Sequence, residues 1–469
     1  MEEILIHAVD YAIQKGAEYA EARFQKDVSN SIVLKNGVVE TVSSSSITGV
    51  GIRILLNGSL AFASTNNWRE RNSVEKVINL AIKMARGRKS SGIKFSREKT
   101  IIANIEIKPK KDPNNFPLDE KLLILKEADK ALSSEKAKFP NRVILYSEMS
   151  TEKVFVNSEG SVIRQVIPRI YLYTFFAVIK NGRSDTRFIE LGASRGIEAL
   201  DEWNLLEKFK KEAEIMAEIL EAPKAPEGVM DVVLGPEVSG IAVHESVGHP
   251  FEADRILGRE GAQAGESFVD PEMLGKKVGN DVFTVIDDPT IPGSYGFYLY
   301  DDEGVPARPR YLIFKGTVNE FLHNRETGSI FGTGSNGSAR ASRFDREPIV
   351  RMANTYIAPG DMSFEELIED IKFGVYIKTF GEWNIDDLRY NMRYIGKEAW
   401  LIENGELKHL VRNPVLEITT PKLYESIDAV DKNLEFFAGT CGKGDPAQGI
   451  PVYLGGPNVR LRKVYIYSG

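Results

Sequence analysis

The segment His244-Glu245-Ser246-Val247-Gly248-His249 constrains this 469-residue chain more than any other stretch, because two of its five histidines flank a carboxylate there. In a regular α-helix, residues i and i+5 lie about 140° apart around the axis, so the two rings would diverge. A π-type turn brings such positions into line. Gly248 and Pro250 suit a distorted helix end. The spacing therefore predicts a metal-binding helix with a non-ideal backbone, although two structural histidines with a Glu between them also arise by chance.

Composition excludes several classes of protein. The chain is 42% hydrophobic and 27% charged, which is typical of a soluble globular protein. A net charge of −7 without a long basic run argues against a nucleic-acid partner. No apolar run approaches 18 residues, so we expect no membrane-spanning helix and no membrane partner. The acidic start, Met1-Glu2-Glu3, predicts no secretory signal and hence a cytoplasmic protein. The single Cys441 excludes an internal disulfide and leaves an inert, nucleophilic or metal-binding thiol.

The first half of the chain predicts helices around an antiparallel sheet. Asn36-Gly37 and Asn57-Gly58 each lie between apolar runs, which is the strongest local signal for a β-hairpin. Apolar residues at helical spacing, with Asn72 as a candidate N-cap, predict helices over residues 2–15, 73–86, 118–132 and 202–221. Residues 104–117 hold three prolines and predict a loop. Further strands are predicted over residues 143–148, 153–156, 162–166 and 169–179.

A Pro- and Ala-containing stretch over residues 222–228 predicts a linker. It divides the chain into an N-terminal α+β domain, residues 1–222, and a C-terminal β-rich domain, residues 228–469. The second half predicts a helix after Ser363, over residues 364–373, and strands over residues 230–234, 282–286, 310–314, 394–402 and 459–467. The predicted fold class is thus α+β, with an N-terminal antiparallel sheet and helices and a C-terminal β-rich domain carrying the distorted metal-binding helix.

Residues 243–254, which contain the motif, resemble the metal-binding signature of the TldD proteins in the TldD/PmbA family. The resemblance covers nearly the whole chain in the family's order. The other matching segments are residues 16–20, 49–51, 62–66, 351–355, 359–360, 440–443, 448–452 and 456–457. One departure is Glu382-Trp383-Asn384, which stands where the family usually has a glycine-rich stretch. Borrowed details of substrate specificity therefore do not apply to that segment.

The resemblance implies a zinc-dependent peptidase that cleaves peptides or unfolded polypeptide segments. Carried over to this chain, one Zn²⁺ is held by His244, His249 and Cys441, a ligand set known for catalytic zinc with an open fourth position. Glu245 is then the general base for a metal-activated water. PmbA-type relatives lack these ligands, so the resemblance indicates the TldD side. It also implies a partner, either a TldD/PmbA-type chain in a heterodimer or a second copy in a homodimer.

Other candidate residues have functional and structural interpretations. Glu252 and Asp254 are acceptors for an imidazole N–H, replacement ligands, or surface or helix-end carboxylates. Asp301-Asp302-Glu303 indicates either a cation site or a tight turn. Arg351 and Asn354 are candidates for binding substrate or partner, or are ordinary loop residues. His323 and His409 lack a motif and are expected to be structural.

Two other functions stay open at the level of sequence. One is a peptide-binding maturation or chaperone-like module with a non-catalytic metal. The other is a cysteine hydrolase that uses Cys441 with a His as base, although Glu245 has no role in that chemistry. For the leading hypothesis, the strand-rich C-terminal half predicts that substrate binds as an added β-strand.

Overall fold

A computed structural model describes residues 1–259 and 266–469 of the chain. Its helices are α1 (Glu2–Gln14), α2 (Arg71–Arg86), α3 (Leu118–Ala131), α4 (Glu198–Glu202), α5 (Leu205–Ile219), α6 (Pro236–Val243), α7 (Ala253–Ile256), α8 (Arg325–Phe331), α9 (Phe364–Ile368) and α10 (Thr420–Ser426). A π turn covers His244–Gly248, and short 3₁₀ turns cover Pro113–Asn115 and Pro271–Met273.

The strands of the first half are β1 (Tyr19–Lys35), β2 (Val38–Leu56), β3 (Ser59–Thr65), β4 (Ile102–Glu106), β5 (Lys138–Asn157), β6 (Val162–Lys180) and β7 (Arg183–Ala193). Those of the second half are β8 (Gly228–Leu234), β9 (Val285–Asp287), β10 (Arg310–Phe314), β11 (Thr317–Val318), β12 (Ala339–Arg340), β13 (Ile349–Val350), β14 (Asn354–Ile357), β15 (Phe373–Ile377), β16 (Phe380–Ile385), β17 (Asn391–Gly396), β18 (Ala399–Glu403), β19 (Glu406–Val411), β20 (Pro414–Thr419), β21 (Ile427–Val430), β22 (Glu435–Lys443), β23 (Gln448–Gly456) and β24 (Val459–Ser468).

The first half forms one sheet in the order β3-β2-β1-β5-β6, and β4 and β7 share the outer edge of β6. All pairs are antiparallel except β4 with β6. Because side chains alternate along a strand, β1 turns Ala22, Phe24 and Ile32 toward the helices α1, α2, α3 and α5. Intervening residues such as Gln25 and Asp27 lie on the opposite face, which the second half of the chain covers.

The second half contains two larger sheets. One has the order β16-β17-β20-β24-β8-β15-β18-β19, with β21 added to β24, and the other has the order β11-β10-β9-β14-β23-β22. Helix α6 contacts β8 of the first sheet and β14, β22 and β23 of the second. A Cβ on Gly240 would lie 2.9 Å from the backbone nitrogen of Gly455, so a glycine in α6 permits this close packing on β23.

The predicted α+β fold class is confirmed, and so are both hairpin turns, in which Asn36 and Asn57 take the left-handed conformation with φ of 49° and 51°. Some predicted boundaries are wrong. Helix α2 has Glu70 rather than Asn72 at its N-cap position. The helix predicted over residues 202–221 corresponds to α5 and begins only at Leu205, because Asn204 before it has a left-handed φ of 45°; the short helix α4 was not predicted.

Further corrections concern the sheets. The four strands predicted between residues 143 and 179 form the two continuous strands β5 and β6, while β4 and β7 were not predicted. The stretch over residues 394–402 divides between β17 and β18. Helix α9 ends at Ile368, because Phe373 already belongs to β15 and pairs with β18. Ser363 is its N-cap as predicted, and the structure adds a capping box with Glu366.

The sheets separate at the predicted linker. In the described ranges, no strand before residue 194 shares a sheet with a strand after residue 227. The assignment of residues 1–222 and 228–469 as domains stays a prediction. Within the part of the chain that the structure describes, no helix is long and apolar enough to cross a membrane.

Candidate metal centre

The two histidines of the motif lie where α6 passes into the π turn. The N–H of His249 donates to the carbonyl of His244 at 3.1 Å, the i→i+5 bond of a π turn. The hydroxyl of Tyr424 donates to the carbonyl of Ser246. A Cβ on Gly248 would lie 1.8 Å from the sulfur of Met352, so any larger residue here requires the buried Met352 side chain to move. The predicted helix distortion is confirmed, and tight packing explains the glycine.

The structure brings His244, His249 and Cys441 together in the interior. The ring centroids are 5.0 Å apart, and the Cys441 Sγ lies 3.4 Å from His249 Nε2. One ligand atom from each of the three residues lies within 4.8 Å of the other two. A tetrahedral zinc site, with Zn–S of about 2.3 Å and Zn–N of about 2.0–2.1 Å, separates sulfur and nitrogen by about 3.6 Å. The observed separations therefore fit one such ion.

The electrostatics of this cluster favour a thiolate at Cys441. Burial raises the pKa of the Cys441 thiol, but the charges of His249, Arg351 and His244 outweigh burial and hold that pKa well below its usual value. Burial lowers the pKa of His249, whereas Cys441 and Glu252 raise it, to about 9. His244 Nδ1 is buried and has no hydrogen-bond partner among the described residues. A thiolate and an unpartnered imidazole nitrogen are suitable donors for a divalent cation.

Glu252 orients one of the rings. Its Oε2 lies 3.1 Å from His249 Nδ1 and 3.2 Å from the Nζ of Lys443, and the side chain is fully buried. Burial raises the pKa of Glu252, but Lys443 and His249 hold it far below its usual range. A carboxylate on Nδ1 fixes the tautomer that leaves Nε2 free for a metal. The alternative of a surface carboxylate is therefore wrong for Glu252. The carboxylate of Asp254 accepts a hydrogen bond from the same Lys443 Nζ at 2.6 Å.

Glu245 is buried beside the cluster and pairs with an arginine that sequence reasoning missed. The Nη1 of Arg389 donates to Glu245 Oε2 at 3.0 Å. Arg389 has a left-handed backbone with φ of 64°, in a turn where the Asp386 carboxylate accepts the N–H groups of Tyr390 and Asn391. Such a conformation is unfavourable for a non-glycine residue and concentrates at functional sites. No motif surrounds Arg389, so the sequence carried no signal for it.

Glu245 and the three donors line one cavity of about 730 Å³ between the two halves of the chain. The first half contributes Phe188 from β7 and Lys208 and Glu212 from α5. Phe188, Phe380 and Trp383 form an aromatic wall, in which Phe380 and Trp383 meet edge to face at 5.2 Å between centroids. We call this space the metal cavity.

The remaining candidates have structural contacts. Arg351 is fully buried and donates to the carbonyl of Cys441 at 2.6 Å, so it braces β22 beside the cluster. Asn354 is also buried and donates to the carbonyl of Asp288 at 2.5 Å. His323 is buried near Thr327, whereas His409 is exposed on β19.

Asp301-Asp302-Glu303 forms a buried turn rather than a cation site. The Asp301 carboxylate accepts the N–H groups of Glu303 and Val305, Asp302 pairs with Lys153 at 2.8 Å, and Glu303 pairs with Arg53 at 2.6 Å. Among the described residues, the only cluster of His, Cys, Asp and Glu with metal-ligand spacing is His244, His249 and Cys441.

Comparison with known proteins assigns the chain to a family. The family model for the PmbA/TldA metallopeptidase C-terminal domain matches residues 227–468, and the models for domain 1 and the central domain match residues 20–85 and 111–221. The chain belongs to the TldD/PmbA family. A metalloprotease of Methanocaldococcus jannaschii is 35% identical to this TldD/PmbA chain over 94% of it and 96% of the relative.

A second metalloprotease, from Methanothermobacter thermautotrophicus, is 32% identical to this TldD/PmbA chain over 97% of it and 96% of the relative. The crystal structure of TldE from Thermococcus kodakarensis shares the fold, with a TM-score of 0.76 at 20% identity and 99% of each chain covered. The relatives that match over nearly their whole length are thus named as metalloproteases, and the TldE structure has the same fold over nearly the whole chain.

Proposed function

We propose that this TldD/PmbA protein is a zinc-dependent peptidase that hydrolyses peptides or unfolded polypeptide segments. The observation that carries the proposal is that Glu245 and three buried metal-type donors line the same cavity. The metalloprotease names of the relatives support the reaction class. A volume of about 730 Å³ accommodates an extended segment and excludes a folded domain.

His244, His249 and Cys441 would hold the zinc. When bound at a site of this type, Zn²⁺ lowers the pKa of water to about 7 and polarises a carbonyl. Within the described ranges no fourth side chain completes the cluster, which suits a catalytic site with one open position. The Glu252 carboxylate holds the His249 ring in the orientation that ligation needs.

Glu245 acts as the general base. Its carboxylate accepts a proton from the attacking water and passes that proton to the amine that leaves when the peptide bond breaks. The Arg389 guanidinium, 3.0 Å away, fixes one carboxylate oxygen and leaves the other for the water. Arg389 is thus a positioning residue, and its left-handed backbone aims the side chain into the cavity.

The substrate backbone binds along β22. This strand is at the end of the six-stranded sheet order, so only β23 pairs with it in the described part of the chain. Residues 437–442 of β22 line the metal cavity beside Cys441. An extended peptide pairing with the free edge would present its backbone to Glu245 with little demand on sequence. A complex with bound peptide that lacks this strand pairing would contradict the arrangement.

The proposed partner is a TldE- or PmbA-type chain in a heterodimer, or a second copy of this chain. The shared fold with TldE of Thermococcus kodakarensis supports this choice, since two chains of one fold can form a symmetric or pseudo-symmetric pair. The cytoplasmic location expected from the sequence stays a prediction.

The decisive variant is Glu245→Gln, assayed with a fluorogenic peptide library and the metal-loaded protein, with and without the partner chain. We expect peptide cleavage to fall about 10²- to 10⁴-fold, the range for loss of a general base, while zinc content stays unchanged by metal analysis. The matched control is Glu382→Gln, because Glu382 is exposed and does not line the metal cavity.

Two outcomes would overturn the mechanism. Full turnover in Glu245→Gln removes Glu245 from the reaction. Cleavage that resists a chelator and disappears on alkylation of Cys441 identifies a cysteine hydrolase, the rival that the 3.4 Å separation of Cys441 Sγ and His249 Nε2 favours. A zinc-bound thiolate resists alkylation as long as the metal is present, whereas a catalytic thiolate reacts at once.

A further inference from the structure

A second cavity, of about 460 Å³, lies between the N-terminal sheet and the second half of the chain. Its floor is the sheet face opposite the helices, formed by alternate residues of β1, β2, β5 and β6. Its walls come from residues 298–302, 340–346 and 447–451. We call this space the interface cavity. Among the described residues, none lines both cavities.

Two buried guanidiniums in the interface cavity have no carboxylate partner. Arg169 donates Nε and Nη2 to the carbonyls of Tyr295 and Phe297, at 3.2 and 3.1 Å. Arg340 donates Nη1 and Nη2 to the carbonyls of Met352 and Pro451, at 2.6 and 2.9 Å. In the described ranges neither has an Asp or Glu oxygen within 4.0 Å, and Arg169 Nη1 and Arg340 Nε form no hydrogen bond.

Burying the charges of Arg169 and Arg340 costs solvation free energy. Arg169 is 9% exposed and Arg340 is 6% exposed. Burial lowers the pKa of Arg340 to about 10, and the nearby charges of Arg169 and Arg351 contribute to the decrease. Arg340 therefore remains charged at neutral pH. Buried cations of this kind normally have an anionic partner, so the cavity is set up to receive an anion.

A carboxylate without a cationic partner lines the same space. Asp27 accepts from Gln25 Nε2 at 2.8 Å and from Thr151 Oγ1 at 2.7 Å, but no cationic side chain lies within 4.0 Å of it in the described chain. Gln25 is 2% exposed, and its Oε1 is buried without a partner. Because Gln25 Nε2 also donates to the carbonyl of Ser342 at 3.0 Å, the amide cannot be flipped to satisfy Oε1.

The other charged groups of the interface cavity are already compensated. Lys153 pairs with Asp302 at 2.8 Å, and the Asp301 carboxylate accepts backbone N–H groups. Arg343 and Arg346 both pair with the carboxylate of Asp345. Arg169, Arg340 and Asp27 thus remain without an opposite charge within 4.0 Å among the described residues. Burial lowers the pKa of Arg169, and Asp27 raises it only from a longer distance.

We propose that the interface cavity binds a small zwitterion with a free α-carboxylate and a free α-ammonium group, either an amino acid or a short peptide. The carboxylate accepts hydrogen bonds from Arg169 Nη1 and Arg340 Nε, the guanidinium nitrogens that the backbone carbonyls leave unused. The ammonium group donates to the Asp27 carboxylate. A volume of about 460 Å³ lies within the usual range for ligand pockets. This site shares no residue with the metal cavity, and its ligand binding does not depend on peptide hydrolysis.

The test is calorimetric titration of chelator-treated wild-type protein with alanine, dialanine, N-acetyl-dialanine and dialanine amide. We expect binding of the zwitterions and at least a tenfold loss of affinity when either end group is blocked, because a buried charge then stays unpaired. Binding of alanine alone identifies an amino-acid site, and stronger binding of dialanine identifies a peptide site.

Asp27→Asn assigns the ammonium contact. Asparagine can still accept from Gln25 and can donate to Thr151 Oγ1, so the local hydrogen bonds survive while the charge is lost. We expect this variant to bind dialanine at least tenfold more weakly and to abolish the difference between dialanine and its N-acetyl form. Glu245→Gln, in the metal cavity, is the control that separates the two sites and should bind dialanine as the wild type does.

Three results would overturn the proposal. The first is no detectable binding of either zwitterion at concentrations up to about 10 mM, which corresponds to a free energy too small for a built site. The second is equal binding of the free and blocked ligands. The third is binding that is insensitive to Asp27→Asn but lost in Glu245→Gln, which would place the ligand in the metal cavity.

Discussion

The metal cavity and the interface cavity lie in the same molecule, and both lie between its two halves, but their chemistry differs. The metal cavity brings together two imidazoles and a thiol, which are ligands for a transition metal. The interface cavity brings together guanidiniums and a carboxylate, which bind charged organic groups through hydrogen bonds. The hairpin β22–β23 contributes to both, through Cys441 in one and Pro451 in the other.

The two sites also differ in how the chain builds them. His244 and His249 come from one turn of backbone, so a local distortion suffices to align them. In the interface cavity, Gln25, Asp27 and Arg169 come from strands β1 and β6, which become neighbours of β5 only when the sheet forms. A sequence motif can therefore predict a site such as the metal cavity, whereas a site such as the interface cavity can be recognised only in the tertiary structure.

Of the variants that distinguish the metal cavity from the interface cavity, we expect His249→Ala to have the largest effect. Loss of one of three ligands should remove the metal and lower peptide cleavage by at least about 10³-fold, the scale for an essential catalytic group. Zwitterion binding in the interface cavity should stay within about twofold of wild type. Metal analysis, turnover and calorimetry on the same preparation measure all three quantities.

The control for this prediction is His409→Ala, since His409 is exposed on β19 and belongs to no metal-type cluster formed by the described residues. That variant should keep both metal and turnover. Full metal content in His249→Ala would break the comparison, because the metal would then be held by groups outside the proposed set.

Much of the metal centre could be predicted from the sequence, for a physical reason. The i, i+5 spacing of His244 and His249 is incompatible with one face of a regular helix, so a π distortion follows from the motif itself. Cys441 is different, because no local rule connects it with residues almost 200 positions earlier. Only resemblance to the TldD/PmbA family suggested that contact, which the pairing of β22 with β23 and the packing of α6 then produce.

What the sequence could not give depends on long-range contacts. The sequence alone favours a surface position for Glu252. In the structure Lys443, from β22, lies 3.2 Å from its carboxylate, and this ion pair makes the burial of Glu252 favourable. Arg389 lies in a polar turn whose left-handed backbone cannot be read from its neighbours. The edge strand β7 was missed because its sequence alternates weakly, and its pairing with β6 fixes the strand. Local patterns thus predicted the elements better than the contacts between them.

A smaller effect is expected for Glu252→Gln, which tests the carboxylate that acts on the metal through a ring rather than directly. Glutamine keeps the shape but accepts the His249 Nδ1–H bond more weakly, so metal affinity should fall about 10- to 100-fold, as is usual for such outer contacts. Competition with a chromophoric chelator measures the affinity. Asp254→Asn is the matched control, because it also removes a carboxylate that pairs with Lys443, whereas Glu252 is the carboxylate placed on His249 Nδ1. Equal metal affinities for the two variants would remove Glu252 from the site.

The smallest expected effect concerns the aromatic wall of the metal cavity and rests on the proposed peptidase activity. Trp383 is 38% exposed, and with Phe380 and Phe188 it offers an aromatic surface in the metal cavity. Trp383→Ala should lower kcat/KM about 2- to 10-fold for peptides with a large apolar side chain, which is the usual contribution of one aromatic contact. Peptides with only small side chains should be cleaved as by wild type.

Trp383→Phe separates lost surface from a disturbed strand, because phenylalanine retains an aromatic ring at the same position of β16. It should recover most of the preference for apolar peptides, with unchanged zinc content in both variants. A uniform loss across all peptides would instead indicate that β16 has moved. A glycine-rich segment in place of Glu382-Trp383-Asn384 could not form this wall, because glycine has no side chain. Selectivity for apolar side chains, if it depends on Trp383, is then a property of this chain's own sequence rather than of the shared metal centre.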